Sequence, residues 1–419
     1  MSSALPSYPE ASAIVAARAA QIAHARPSAE KVSLADASGR VLAVPLFADT
    51  DQPPFARSTR DGFACRASEI ATYCPLPLAG ATRAGDAPPG SLPPNSAWEI
   101  MTGAPLPAGA DAVVMVEHVE ATTSAVRLLP TRKLSVGENI VPQGAQARRG
   151  DQLLPPGSHI TYAQIALAAA CGYAKLNVFP RPKVAILTTG DELVPVDAVP
   201  APGQIRNSNG PMLAAMVAAA GGEPWVLPAA HDNPGSLDSS LATALAQADL
   251  LLLSGGVSAG KFDLVEPALA RLAAKFHFTG VRIQPGKPLV FGEVPKQEQA
   301  GTSCCFFGLP GNPVSSAVTF LLFAAPVLGA LAGSRTPGPR FALARLTADT
   351  DRRTKTGLTR FLPAFCNFNP SSGQLPTVSL VPWQGSGDLA ALARSNCFLV
   401  IPEDIAALRA NEIVQILLC

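Results

Sequence analysis

Short apolar runs alternate with helix-like stretches through the middle of the chain. KVAILT (183–188), WVLPAA (225–230), DLLLLS (249–254), LVFGEV (289–294) and SCCFFGL (303–309) are continuous apolar runs of strand length. Between them, NGPMLAAMVAAAGG (209–222), PGSLDSSLATALAQA (234–248) and VEPALARLAAKF (265–276) have helical length and spacing, as does the stretch after Pro313. Strands that alternate with helices predict a mainly parallel α/β sheet covered on both faces. In a strand, the adjacent Cys304 and Cys305 would point to opposite faces.

The pattern differs on either side. The N-terminal stretch MSSALPSYPEASAIVAARAAQIAHAR (1–26) reads as an alanine-rich helix with no signal-peptide organisation, and ITYAQIALAAACGYA (160–174) as another helix. Between about 47 and 142, short β-like runs such as AWEIM and DAVVMVEHV sit among Pro/Gly turns and predict a β-rich unit. After the Pro/Gly cluster at 333–339, FALARL, RFLPAFC, TVSLVP, CFLVIP and IVQILL predict a small β-barrel or sandwich.

Composition changes this picture little. The chain has 419 residues, 48% hydrophobic and 15% charged, which suits several domains with large cores. Its 32 basic and 31 acidic residues balance to +1, so nothing draws the whole chain to nucleic acid or an anionic membrane. Pro313–Ser334 is uncharged and long enough to span a bilayer, but its Ser, Thr, Gly and central Pro326 favour a buried helix. The eight cysteines show no metal or redox spacing and read as reduced thiols of a cytoplasmic protein.

Candidate chemistry gathers where parallel sheets bind ligands, beyond the carboxyl ends of the strands. TTGDE follows KVAILT and carries Asp191 and Glu192; His231, Asp232 and Asn233 follow WVLPAA. SGGVSAGKFD follows LLLL, with Gly255, Gly256, Ser258, Gly260 and Asp263. LPGNPVSS leads into a helix, with Asn312 and Pro313 placed as a helix cap. Each loop alone has an ordinary structural reading as a cap or a solvated turn; together on one edge they read as a site. Glycine N–H groups and a helix start suit an oxyanion, and carboxylates beside it call for a cation such as Mg²⁺. The expected ligand is a phosphorylated small molecule with a divalent metal. The Gly255–Lys261 spacing matches a P-loop, but Phe262 lacks its metal-binding hydroxyl and Pro267 disturbs the following helix.

SGGVSAGKFD resembles the signature of molybdenum-cofactor biosynthesis proteins. With PPFARSTRDGFA, MTGAPLPAGADAVVMVE, GENIVPQG, ILTTGDELV, GQIRNSNGPML, QPGKPLVFG, LPGNPVSS and QGSGDL in order, the chain resembles the bacterial MoeA family and the E domain of gephyrin. That resemblance implies an elongated domain from 8–46 and 143–181, an inserted β-rich domain at 47–142, an α/β molybdopterin-binding domain at 182–334 and a β-barrel at 338–419. It implies a homodimer, each cleft shared between the α/β domain of one subunit and the inserted domain of the other. The implied reaction is insertion of molybdenum from molybdate into adenylylated molybdopterin with release of AMP, and a molybdopterin adenylyltransferase is an implied partner. Carried over by position, Asp61 and Thr102 line the cleft, while Glu192, Asp232 and Asp263 hold Mg²⁺ or position the nucleotide. Pro310 and Pro313 shape the helix start, and Ser386 reaches in from the barrel.

Three positions depart from the family pattern. Gly144, Ala145 and Gln146 stand where relatives often carry a cleft carboxylate, Gln284 stands for a lysine, and Pro363 for a basic residue. Arg282 shares a strand face with Gln284 and is expected to supply the missing charge beside Lys287. Two other readings remain: a scaffold or regulatory relative that keeps the fold, and an enzyme adenylylating molybdopterin, which the full four-domain length disfavours.

Overall fold

The computed structural model describes residues 5–24, 29–71, 73–230, 234–256, 265–296, 303–350, 357–368 and 373–419. Its centre is a six-stranded sheet in the order Glu223–Val226, Lys183–Thr188, Leu250–Ser254, Ser303–Leu309, Val290–Pro295, Lys275–Thr279. The first four strands are parallel and the last two antiparallel. Val184, Ile186, Leu250, Leu252, Cys305 and Phe307 face one core; Ala185, Leu187, Leu251, Leu253, Cys304 and Phe306 face the other. The two-residue period therefore places Cys304 and Cys305 on opposite faces, as expected. Burial pushes the Cys304 thiol up to about 12 and Cys305 up to about 11, so both are inert side chains of the core.

Two elements of the α/β layer differ from the sequence expectation. The helix expected through Phe276 ends at Arg271, because Ala273 turns left-handed at φ 57° and the Ala274 N–H closes back on the Leu269 carbonyl. The freed Lys275–Thr279 segment, rich in aromatic residues and ending in threonine, becomes the antiparallel edge strand. WVLPAA keeps only its first two residues in a strand, which runs Glu223–Val226 and stops before Pro228. Pro224 is tolerated there because the strand is an edge.

The apolar stretch after Pro313 is a core helix. It runs through a π-helical segment, Phe320–Ala324, into Ala325–Leu331, and 78% of its apolar window is buried in the protein. The wider turn absorbs Pro326, which cannot donate an N–H inside an α-helix.

Helix Tyr8–His24 lays Ala11 and Val15 into the same core, with the Tyr8 ring edge-on to Phe323 and Phe361. Its packing thus ties the N-terminal segment to the α/β unit. Glu30–Ser33 pairs with Lys175–Val178, and Leu46–Phe47 with Gln152–Leu154. Between these pairings lies a six-stranded β sheet built from residues 62–128.

At the C-terminal end, Thr359–Asn367, Thr377–Leu380, Phe341–Leu346, Ile413–Leu418 and Cys397–Ile401 pair in that order. The first and last also pair, closing a five-stranded barrel. Phe361, Phe398 and Leu417 point out of it into the α/β core, and Ile283–Gln284 adds alongside Thr359–Arg360. These contacts seat the barrel beside the strand-end loops. Helix Leu389–Arg394, capped by Asp388, was not anticipated from its six residues.

Candidate active site at the strand ends

Strands Lys183–Thr188 and Leu250–Ser254 end side by side, with Thr188 opposite Ser254. The chain then turns through Gly255 at φ 94° and Gly256 at φ 62°. A Cβ at Gly255 would lie 2.5 Å from the Thr189 carbonyl oxygen, and one at Gly256 2.9 Å from Thr189 Oγ1. Both glycines are thus required by a left-handed turn packed on the neighbouring strand end. A Cβ at Gly311 would lie 3.6 Å from the Gly255 Cα, so the two glycine loops abut.

The loop before the core helix is shaped by its prolines and by the barrel. Asn312 occupies the N-cap position and Pro313 the first turn, yet the Asn312 side chain makes no capping hydrogen bond. Ser316 Oγ donates to the Pro310 carbonyl, and the Ser316 N–H to the Asn312 carbonyl. Ser386 does reach this point from the barrel, through its backbone: its carbonyl accepts from the Val314 N–H at 3.0 Å. Pro313 has no N–H, so the helix start offers an anion fewer donors than its sequence suggests.

Residues that sequence reasoning missed tie these loops together. Asn209 Nδ2 donates to Ser254 Oγ at 2.8 Å and to the Gly311 carbonyl at 2.7 Å. Asn207 Nδ2 donates to Thr188 Oγ1, while its Oδ1 accepts from the Gly210 N–H. Among the described residues, Thr189 Oγ1 and Asn209 Oδ1 are buried without a hydrogen-bond partner. The available signal was RNSNGP itself, two amides at the start of a helix that packs on the sheet.

In the inserted β-rich segment, Asp61 Oδ1 accepts from both the Thr102 N–H at 2.6 Å and Thr102 Oγ1 at 2.8 Å. The Thr102 backbone bond, then its side-chain bond, hold the Asp61 carboxyl below its ordinary range. The two residues singled out separately in the sequence therefore form one ionised, pre-oriented unit.

Glu192 is exposed, and its carboxylate folds back over Gly190. Asp232, Asp263, Ser258 and Gly260 lie outside the described residues. Among the described residues no group of three His, Cys, Asp or Glu side chains could hold a metal ion. Lys287 is exposed. Arg282 differs from its expected role: its guanidinium pairs with Glu403 at 3.6 Å, and its backbone N–H donates to the Pro6 carbonyl. Its charge is committed to the barrel junction rather than left free beside Gln284.

A separate hollow of 840 Å³ lies between helix Asn209–Ala219, the core helix and the barrel. It is lined by side chains such as Met212, Met216, Phe320 and Phe398, and by none of the strand-end loop residues above. Its lining also carries His159, Ser334, Thr336 and Arg340, but it lies apart from the strand ends, where the glycine turns and the helix start meet.

Three family models tile the chain: MoeA N-terminal region (domain I and II) over residues 7–172, probable molybdopterin binding domain over 185–330, and MoeA C-terminal region (domain IV) over 345–419. A molybdopterin molybdenumtransferase of Nostoc is 36% identical over 384 residues, covering 89% of this chain and 85% of the relative. Molybdopterin molybdenumtransferase 2 of Mycobacterium tuberculosis is 35% identical over 395 residues, covering 92% and 94%. The crystal structure of the molybdopterin biosynthesis moeA protein from Pyrococcus horikoshii matches with a TM-score of 0.78 at 28% identity, over 99% of this chain and 100% of that one. End-to-end agreement in sequence and architecture makes the chain a member of the MoeA family of molybdopterin molybdenumtransferases.

Proposed function

We propose that the strand-end crevice binds adenylylated molybdopterin and molybdate, and that the enzyme inserts molybdenum into the dithiolene while the phosphoanhydride is cleaved and AMP leaves. The observation that carries this reading is the abutment of the Gly255–Gly256 turn, the Gly311 loop and Ser386 at the carboxyl ends of parallel strands. Backbone can approach a phosphate or oxyanion closely there because both glycine positions lack side chains.

Mg²⁺ is the proposed metal, with Glu192, Asp232 and Asp263 as its oxygen ligands. When bound it would neutralise phosphate charge. The chain's own residues do the positioning. Asp61, ionised and fixed by Thr102, presents a fixed acceptor. The Gly255 and Gly256 turn clears room for the ligand, and the abutting Gly311 loop, held by Asn209, extends the same wall.

The proposed assembly, carried over from the family resemblance, is a homodimer whose clefts combine Asp61 and Thr102 of one subunit with the strand ends of the other. The proposed setting is the cytoplasm, with a molybdopterin adenylyltransferase as the source of substrate. The test is AMP release from adenylylated molybdopterin by purified protein, with and without molybdate. Release that depends on molybdate is expected; equal release without it would remove the proposed coupling, and no release would favour a scaffold role.

A further inference from the structure

We propose that Asn209 is a positioning residue of this site, a side-chain staple that sets the distance between the glycine turn and the helix-start loop. The inference rests on the proposed reaction for its catalytic consequence, but its structural content stands on the hydrogen bonds alone. A primary amide has two N–H donors, and Asn209 spends them on two adjoining loops of the crevice. One goes to Ser254 Oγ, the last side chain before Gly255; the other goes to the Gly311 carbonyl, just before Asn312 and Pro313. The Gly311 carbonyl can only accept, so it fixes which end of the amide faces it.

The rest of the environment makes the staple rigid. Asn209 begins helix Asn209–Ala219, and Leu213 and Val217 of that helix are fully buried in the sheet core. Ser254 is 2% exposed. Asn207 ties the same helix end to Thr188 on the adjacent strand. Among the described residues, Asn209 Oδ1 is left buried and unpaired, as is Thr189 Oγ1. An unsatisfied buried oxygen opposes folding, so this asparagine is a poor choice for stability alone. Its merit is geometric: no apolar residue could hold the Gly311 carbonyl, and an aspartate would repel it.

The substitution Asn209→Asp isolates the point, because a carboxylate can still accept from the Ser254 hydroxyl but cannot donate to Gly311. Backbone hydrogen exchange across residues 308–316 is expected to quicken about tenfold or more in this variant, with exchange in strand Lys183–Thr188 unchanged. In steady-state kinetics kcat is expected to fall about a hundredfold with KM little changed, the signature of a misplaced wall. Asn209→Ala is expected to behave alike, and Asn209→Gln to recover part of the exchange protection. Unchanged exchange across 308–316 in Asn209→Asp would overturn the staple whatever the enzyme's activity. A quickened loop with normal kcat would overturn its catalytic role. Failure of the wild-type protein to release AMP would overturn the reaction instead, leaving the exchange result to judge the staple by itself.

Discussion

Replacing Gly255 by alanine tests whether the crevice wall is as tight as its geometry implies. The backbone there sits at φ 94°, where an L side chain costs about 1–2 kcal/mol. The new Cβ would also lie 2.5 Å from the Thr189 carbonyl oxygen, a backbone atom that cannot rotate away. Overpacking of that kind adds about 1–3 kcal/mol, so the total is about 2–5 kcal/mol. Reduced freedom of the unfolded chain returns about 0.4–1 kcal/mol of it. Gly256→Ala meets Thr189 Oγ1 at 2.9 Å and Val265 Cγ2 at 3.0 Å, both on side chains that can move, and should cost less. The assay is urea unfolding of both variants, alone and combined with Thr189→Ala. Removing Thr189 Oγ1 should relieve Gly256→Ala while leaving most of the Gly255→Ala loss. A Gly255→Ala protein as stable as wild type, or one fully rescued by Thr189→Ala, would refute the proposed wall geometry.

The remaining predictions concern charges at the domain junctions. Arg18 on the first helix pairs closely with Glu293, whose side chain is 12% exposed. Arg18→Ala leaves that carboxylate only Lys275 at 3.9 Å and His277 at 3.6 Å and should cost at most about 3 kcal/mol; the double change to leucines should restore most of it, and equal loss in both would refute this in chemical unfolding. His277, facing Glu293, Lys275 and Arg18, has its pKa lowered mainly by burial, against an upward pull from Glu293. The unfolded chain therefore takes up this proton first, near its ordinary value of about 6.5, and stability falls as pH drops through that value. His277→Gln should flatten the urea-midpoint decline between about pH 7.5 and about pH 5.5, and an unchanged slope would contradict the assignment. Arg282→Ala should leave substrate affinity unchanged at low and high salt and cost at most about 1 kcal/mol of stability, since the pair with Glu403 is half exposed. A salt-dependent loss of affinity would restore the anion-binding role.

Much of the α/β layer was legible because its strands are buried on both faces. KVAILT and DLLLLS show this as unbroken apolar runs, and period two alone separated Cys304 from Cys305. Lys275–Thr279 was hidden because the helical pattern before it continues in composition, and only the left-handed turn at Ala273 ends the helix. Pro267, read as an obstacle, falls in the first turn of helix Val265–Arg271, where its missing N–H has no intrahelical use. The turns of the candidate site were legible as glycines and prolines, whose backbone roles are local. Asn209, Thr189 and the Arg282–Glu403 pair were not, because each acts through a partner distant in sequence. The helix start was over-read for a related reason: nothing in LPGNPVSS reveals that the Ser386 carbonyl occupies the Val314 N–H.

The most direct test of the central claim is a crystal structure of the enzyme with adenylylated molybdopterin. The ligand is expected at the strand ends, its phosphates against Gly255 and Gly256 and the Gly311 loop facing it. Density for the ligand in the apolar hollow beside Met212 and Phe320, with the strand ends empty, would contradict the account.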